Sequence, residues 1–154
     1  MQSPVSVMIA GIPLFGELVP DEAKLLEKFL VAHTVAPDDI VFKEGTHGGA
    51  VCFVVDGELD VVKTRAGKEH LIATLSKGQS VGEMSIIDGL TRSATIRATT
   101  KATVLILKRE DFQKIINDHP QVGIKILKAI ARVLSANLRK TSESFSALMS
   151  SMAG

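Results

Sequence analysis

The segment Gly82-Glu83-Met84-Ser85-Ile86-Ile87-Asp88-Gly89-Leu90-Thr91-Arg92-Ser93-Ala94-Thr95 sets one carboxylate and one guanidinium at opposite ends of a short apolar turn, among glycines and hydroxyls. Gly82 has no side chain, so a ligand and the backbone can approach closely there. Ionised Glu83 only accepts hydrogen bonds, which suits a donor such as a sugar 2′-hydroxyl. Met84, Ser85 and Ile86 are expected to open a short helical turn whose free N–H groups attract an anion. Arg92 carries a planar fork of donors that matches phosphate oxygens and stays charged at physiological pH. Ser93 adds a hydroxyl and an N–H beside it. One arginine facing one phosphate predicts specific but only moderately tight binding. The competing reading makes Glu83 and Arg92 a surface ion pair flanking a loop, and such pairs contribute little.

The whole spaced pattern resembles the phosphate-binding cassette of the cyclic-nucleotide-binding domains found in catabolite activator proteins, protein-kinase regulatory subunits and gated channels. There a Gly-Glu pair precedes an apolar turn, and an Arg-Ser/Thr/Ala-Ala step follows at this distance. The resemblance implies that Glu83 takes the ribose 2′-hydroxyl and Arg92 the cyclic phosphate, with Gly82, Met84, Ser85 and Ser93 as supporting contacts. Thr91 stands where many members have a proline that would stiffen the turn, although some bacterial members lack it. The resemblance runs from about Ile12 to the last helix. It implies cyclic AMP as the ligand and leaves cyclic GMP open, because a hydroxyl after the arginine can contact guanine while bacterial cyclic AMP receptors also use serine there.

Composition agrees with one domain. A chain of 154 residues with a 45% hydrophobic fraction can fill one core. With no tryptophan or tyrosine, that core must be aliphatic with a few phenylalanines. The net charge of +1 and the dispersed basic residues argue against nucleic acid as a primary partner. The single cysteine, Cys52, excludes an internal disulfide and is expected to be an inert core thiol in a reducing compartment. No apolar run is long enough to cross a membrane. Met1–Phe15 lacks the basic start of a secretory signal, so the expected location is cytoplasmic.

Pro20-Asp21-Glu22 reads as a helix start, with Leu25, Leu26, Phe29 and Leu30 as its apolar face. The period then changes to short β-rich runs at Ala32–Val35, Ile40–Phe42, Val51–Val55, Leu59–Lys63, His70–Thr74, Ser93–Ala98 and Thr103–Lys108. Gly45, Gly48-Gly49, Asp56-Gly57, Gly67 and Lys77-Gly78 punctuate them as turns. The expected class is α+β, mainly β: a cupin-like jelly-roll β-barrel with an N-terminal helix and a long C-terminal dimerisation helix. Residues 12–108 supply the helix and β-roll, and residues 109–154 the C-terminal helices, of one domain spanning 1–154.

Arg109–Asn117 reads as a short helix broken at His119-Pro120. Beyond it an apolar stripe recurs at Ile124, Leu127, Ala131, Leu134, Leu138, Thr141, Phe145 and Leu148, the alternating three and four of a coiled-coil seam. A second stripe, Ile126, Ile130 and Val133, gives out earlier. The early turns are therefore expected to bury two faces, and the later ones to pair with a second copy in a parallel homodimer. Thr141 is the polar exception, which in a seam commonly fixes register. The resemblance offers another role, since small polar residues of the catabolite activator dimer helix reach the adenine amino group. Asn137, Thr141 and Ser142 are the candidates for that base contact.

The expected function is a regulatory sensor that signals through this helix and its dimer, with an effector protein as one route of output. Catabolite activators carry a DNA-reading helix-turn-helix after the dimer helix. The sequence stops at Gly154 without one, so direct nucleic-acid binding is not expected. Two alternatives stand beside it. A binding-dead dimerisation scaffold would keep the fold with Glu83 and Arg92 as remnants. A cupin-type metal enzyme would need clustered histidines with a carboxylate, whereas His33, His47, His70 and His119 are scattered. No catalytic constellation is readable, and the chain is not expected to be an enzyme.

Overall fold

The computed structural model describes residues 3–154. Helix α1 (Pro4–Ala10), a 3₁₀ turn (Pro13–Phe15) and helix α2 (Pro20–Leu26) precede strands β1 (Leu30–Val35), β2 (Ile40–Phe42), β3 (Ala50–Asp56), β4 (Leu59–Arg65), β5 (Lys68–Leu75) and β6 (Ser80–Val81). Helix α3 (Glu83–Asp88) leads to β7 (Thr95–Ala98) and β8 (Ala102–Lys108), and α4 (Arg109–Asp118) and α5 (Pro120–Ala153) complete the chain. The strands form two four-stranded sheets, ordered β1-β8-β3-β6 and β2-β7-β4-β5, with every pairing antiparallel. This is the expected jelly roll with helices at both ends.

The continuous apolar runs of β3 and β8 have a simple cause, because these two central strands of the first sheet are covered on both faces. Val51, Phe53, Leu105 and Leu107 point toward the helices, where they meet Phe15, Leu26, Phe112, Ile115, Ile126 and Ile130. Cys52, Val54 and Val104 alternate with them and face the barrel interior with Leu59 and Ile96. Phe15 and Phe53 pack with ring centres 4.7 Å apart. Cys52 is fully buried, and burial pushes its thiol up to about 12 against a smaller opposing pull from Arg92.

Four elements depart from the sequence expectation. The helix opened by Pro20 ends at Leu26, because Leu30 already pairs with Leu107 in the β1–β8 ladder. Helix α1 was outside the expectation, although Ser3-Pro4 is a helix start: the Ser3 hydroxyl accepts from the Ser6 N–H at 3.1 Å and also donates to Glu27. The two-residue β6 is too short to show a period, and the run expected from Ser93 becomes a strand only at Thr95.

Two ion pairs tie the start of α5 to the N-terminal segment. The Lys125 ammonium lies 2.6 Å from Glu22, and the Arg132 guanidinium lies 2.9 Å from Glu17. Glu22 also accepts from the Val19 N–H at 3.0 Å, capping α2. The Lys125 hydrogen bond, with that of Val19, holds the Glu22 carboxyl below its ordinary range.

Candidate functional site

The segment from Gly82 to Ser93 lies between β6 and β7, against the open end of β3. Gly82 has φ +94°, and a Cβ there would stand 2.7 Å from both the Ala50 carbonyl oxygen and Arg92 Nη1. The bare backbone expected to admit a ligand is thus also required by the protein's own packing. The loop at residues 43–49 pins the arginine end. The Gly45 N–H donates to the Arg92 carbonyl at 2.9 Å, the Arg92 N–H to Thr46 at 2.8 Å, and the Gly48 N–H to Leu90 at 3.1 Å. A Cβ on Gly48 would lie 2.3 Å from the Leu90 oxygen and 2.4 Å from Ser85 Oγ, so only glycine lets the loop close on the segment.

Glu83 and Arg92 are 6% and 7% exposed, and among the described residues neither takes part in an ion pair. The surface-pair reading therefore fails on two counts, burial and partner. Glu83 accepts from the Ser80 hydroxyl at 2.6 Å. Arg92 Nη1 donates to the Ala50 carbonyl at 2.8 Å, and the guanidinium carbon sits 3.6 Å from the centre of the Phe42 ring. Burial lowers the guanidinium pKa, the expected consequence of taking a cation out of water.

A cavity of about 110 Å³ opens between them, lined by Gly82, Glu83, Met84, Ser85, Arg92 and Ser93, with Phe42, Val61, Val81, Ala94 and Ile96. All the residues expected around phosphate and ribose thus meet in one place. Met84 and Ser93 lie at its exposed rim, and Ser85 is buried. The volume is below the ~300 Å³ at the lower end for small-molecule sites, so it suits one end of a nucleotide rather than the whole. Asn137, Thr141 and Ser142 are not brought to this cavity. All three are exposed on α5, and the Thr141 hydroxyl donates to the Asn137 carbonyl at 2.9 Å.

Phe42, the Ala50 carbonyl and Ser80 escaped the sequence reading. Ser80 stands three residues before Glu83 and was within reach of a local argument. Ala50 and Phe42 are brought in by the tertiary fold from about forty and fifty positions away, and nothing local signals them. Among the described residues no group of three metal-ligating side chains comes together.

A buried carboxylate and a buried guanidinium thus face one small cavity on a jelly roll with a long terminal helix. Residues 32–119 match the cyclic nucleotide-binding domain family, and the chain belongs to it. It is 32% identical to the cyclic AMP receptor protein of Thermus thermophilus over 80% of this chain and 58% of that one. It is 33% identical to a cAMP-dependent protein kinase regulatory subunit of Yarrowia lipolytica over 68% of this chain and 28% of the other. A crystal structure of a cyclic nucleotide-binding domain from Methylobacillus flagellatus superposes with TM-score 0.81 at 27% identity, covering 91% of this chain and 79% of that one. The chain therefore spans between about a quarter and three-fifths of these two curated relatives. Among the described residues no helix is long and apolar enough to cross a membrane.

Proposed function

We propose that the chain is a sensor that binds cyclic AMP in preference to cyclic GMP. The observation that carries the proposal is that Glu83 and Arg92 are both buried at one cavity and neither neutralises the other. A buried cation without a counter-charge is costly, and an arriving phosphate monoanion relieves that cost. Arg92 and Ser93 then take the cyclic phosphate, and Glu83, oriented by Ser80, accepts from the ribose 2′-hydroxyl. Gly82, Met84 and Ser85 shape the wall. Relatives named for cyclic AMP support the choice of base.

The cavity is too small for the base, which extends outward toward a reader on α5. None of Asn137, Thr141 and Ser142 lines the cavity of its own chain, so the reading assigns that contact to the helix of a second copy. The exposed apolar side chains of Leu138, Phe145 and Leu148 support a parallel homodimer along that helix. Ligand binding biases the helix packing only as far as it prefers one arrangement over the other. An effector protein that reads the helix, and a cytoplasmic location, complete the reading.

Calorimetric titration with cyclic AMP, cyclic GMP and linear AMP tests it. Cyclic AMP is expected to bind most tightly and linear AMP far more weakly. Loss of the charge-assisted bonds in Arg92→Ala should weaken cyclic AMP by about 10- to 100-fold. Unchanged affinity in that variant would remove Arg92 from the site. The second reading is the binding-dead scaffold, favoured by the bond Arg92 already makes to Ala50 and its stacking on Phe42. It predicts a melting temperature indifferent to every nucleotide, whereas a ligand specific for the native state raises it.

A further inference from the structure

Phe42 closes β2, far in sequence from the cassette, yet its ring lies against the buried guanidinium of the cavity. Three contacts restrain the Arg92 guanidinium. Its carbon stacks 3.6 Å from the ring centre, Nη1 is tied to the Ala50 oxygen at 2.8 Å, and the Gly82 backbone packs beside it. A Cβ on Gly82 would meet Nη1 at 2.7 Å and the Phe42 ring edge at 3.3 Å, so the three groups form one close-packed unit.

The choice of a ring matters chemically. A carboxylate would hold an arginine as firmly, but it would occupy the in-plane donors and neutralise the charge. An aromatic face attracts the cation through its quadrupole and covers only the flat side of the guanidinium. The remaining in-plane N–H groups, and the full positive charge, stay available in the cavity that both residues line. An arginine already ordered this way also loses less side-chain entropy when an anion arrives.

We propose that Phe42 is the positioning residue of the anion-binding arginine: its ring fixes the plane of the Arg92 guanidinium without competing for the phosphate. This role rests on Arg92 being the phosphate ligand, as proposed above.

The test pairs titration of cyclic AMP into the full chain and its Phe42→Leu and Phe42→Tyr variants with amide and guanidinium NMR of the ligand-free proteins. Phe42→Leu should bind about tenfold more weakly, while Phe42→Tyr, which keeps the ring, should stay within about twofold of the wild type. The Arg92 side-chain N–H signals should be shifted upfield by the ring current in the wild type and Phe42→Tyr, and should lose that shift in Phe42→Leu. A general packing role would not produce that spectral signature. Equal affinity for wild type and Phe42→Leu, or equal losses in both variants, would overturn the role of Phe42 alone. A wild type that binds no cyclic nucleotide while its Arg92 signals remain upfield would instead overturn the proposed function, and the positioning role with it.

Discussion

The two halves of α5 differ in how much of their apolar surface is covered. Ile124 and Leu127 of the seam are exposed like Leu138 and Phe145, but only the first half carries a second, buried stripe. In the first half Ile126 and Ile130 are 0% exposed against the first sheet and α4, and Lys125 and Arg132 reach back to Glu22 and Glu17. In the second half Leu138 is 71% and Phe145 63% exposed, and among the described residues no ion pair ties any residue after Arg132 to the body. An apolar stripe therefore states that a face needs cover, and the element opposite decides whether it has any. The same contrast separates the part of α5 that stabilises the fold from the part left uncovered. The buried stripe of the first half belongs to the core, whereas a solitary helix in water is marginal, and under the proposed function the second half is the part that a partner or a ligand would order.

The largest test of that contrast is a pair of truncations. Ile130→Ala should cost about 2–5 kcal/mol in urea unfolding, from lost transfer energy and the cavity left behind. Leu138→Ala should stay within about 0.5 kcal/mol at a protein concentration low enough to keep the chain monomeric. Comparable losses would mean that the halves are equally packed.

A smaller effect sharpens the attachment of the first half. Glu22→Gln should lower stability by under about 1 kcal/mol near neutral pH, because its partner Lys125 is partly solvated. The Glu22 pKa is depressed in the folded state by Lys125 first and Val19 second. Its contribution is therefore present above the ordinary carboxylate value of 4.5 and is lost as pH falls through the depressed one. The melting-temperature gap between wild type and variant should accordingly narrow as pH falls below 4.5, and a gap that widens on acidification would contradict the ion pair.

The smallest effect on the fold is expected from Phe145→Ser, which removes an exposed ring. Its unfolding free energy should match the wild type within about 0.5 kcal/mol at low concentration. Its sedimentation at high concentration should nevertheless shift toward monomer if the exposed seam is the dimer contact. A variant that associates as well as the wild type would leave the second half without that role.

Much of the barrel was legible because antiparallel strands alternate within a few residues and glycines mark their ends. Ile40–Phe42 is a strand over the same residues the pattern indicated, and the strands at Val51, Leu59 and Thr103 needed only extension by a residue or two. Leu30 was misassigned because its apolar spacing fits the end of a helix as well as the start of a strand. Only its partner Leu107 distinguishes them. Within the site, Glu83 and Arg92 were legible because the cassette is one continuous segment with a recognisable spacing. Their mutual independence was not, since a carboxylate and a guanidinium so close in sequence look like an ion pair until Ser80, Ala50 and Phe42 are seen to hold them apart.

Local chemistry determined what this chain carries: an aliphatic jelly roll, a cassette with one acid and one base, and a helix with two apolar stripes. Each follows from residue types and spacings that act over a turn or a strand. Tertiary structure decided which of those features are used, because burial and charge compensation depend on residues far apart in the chain. It buried Arg92 beneath Phe42 and beside Ala50, closed Gly48 onto Ser85, and gave one stripe of α5 a sheet to rest on while leaving the other exposed.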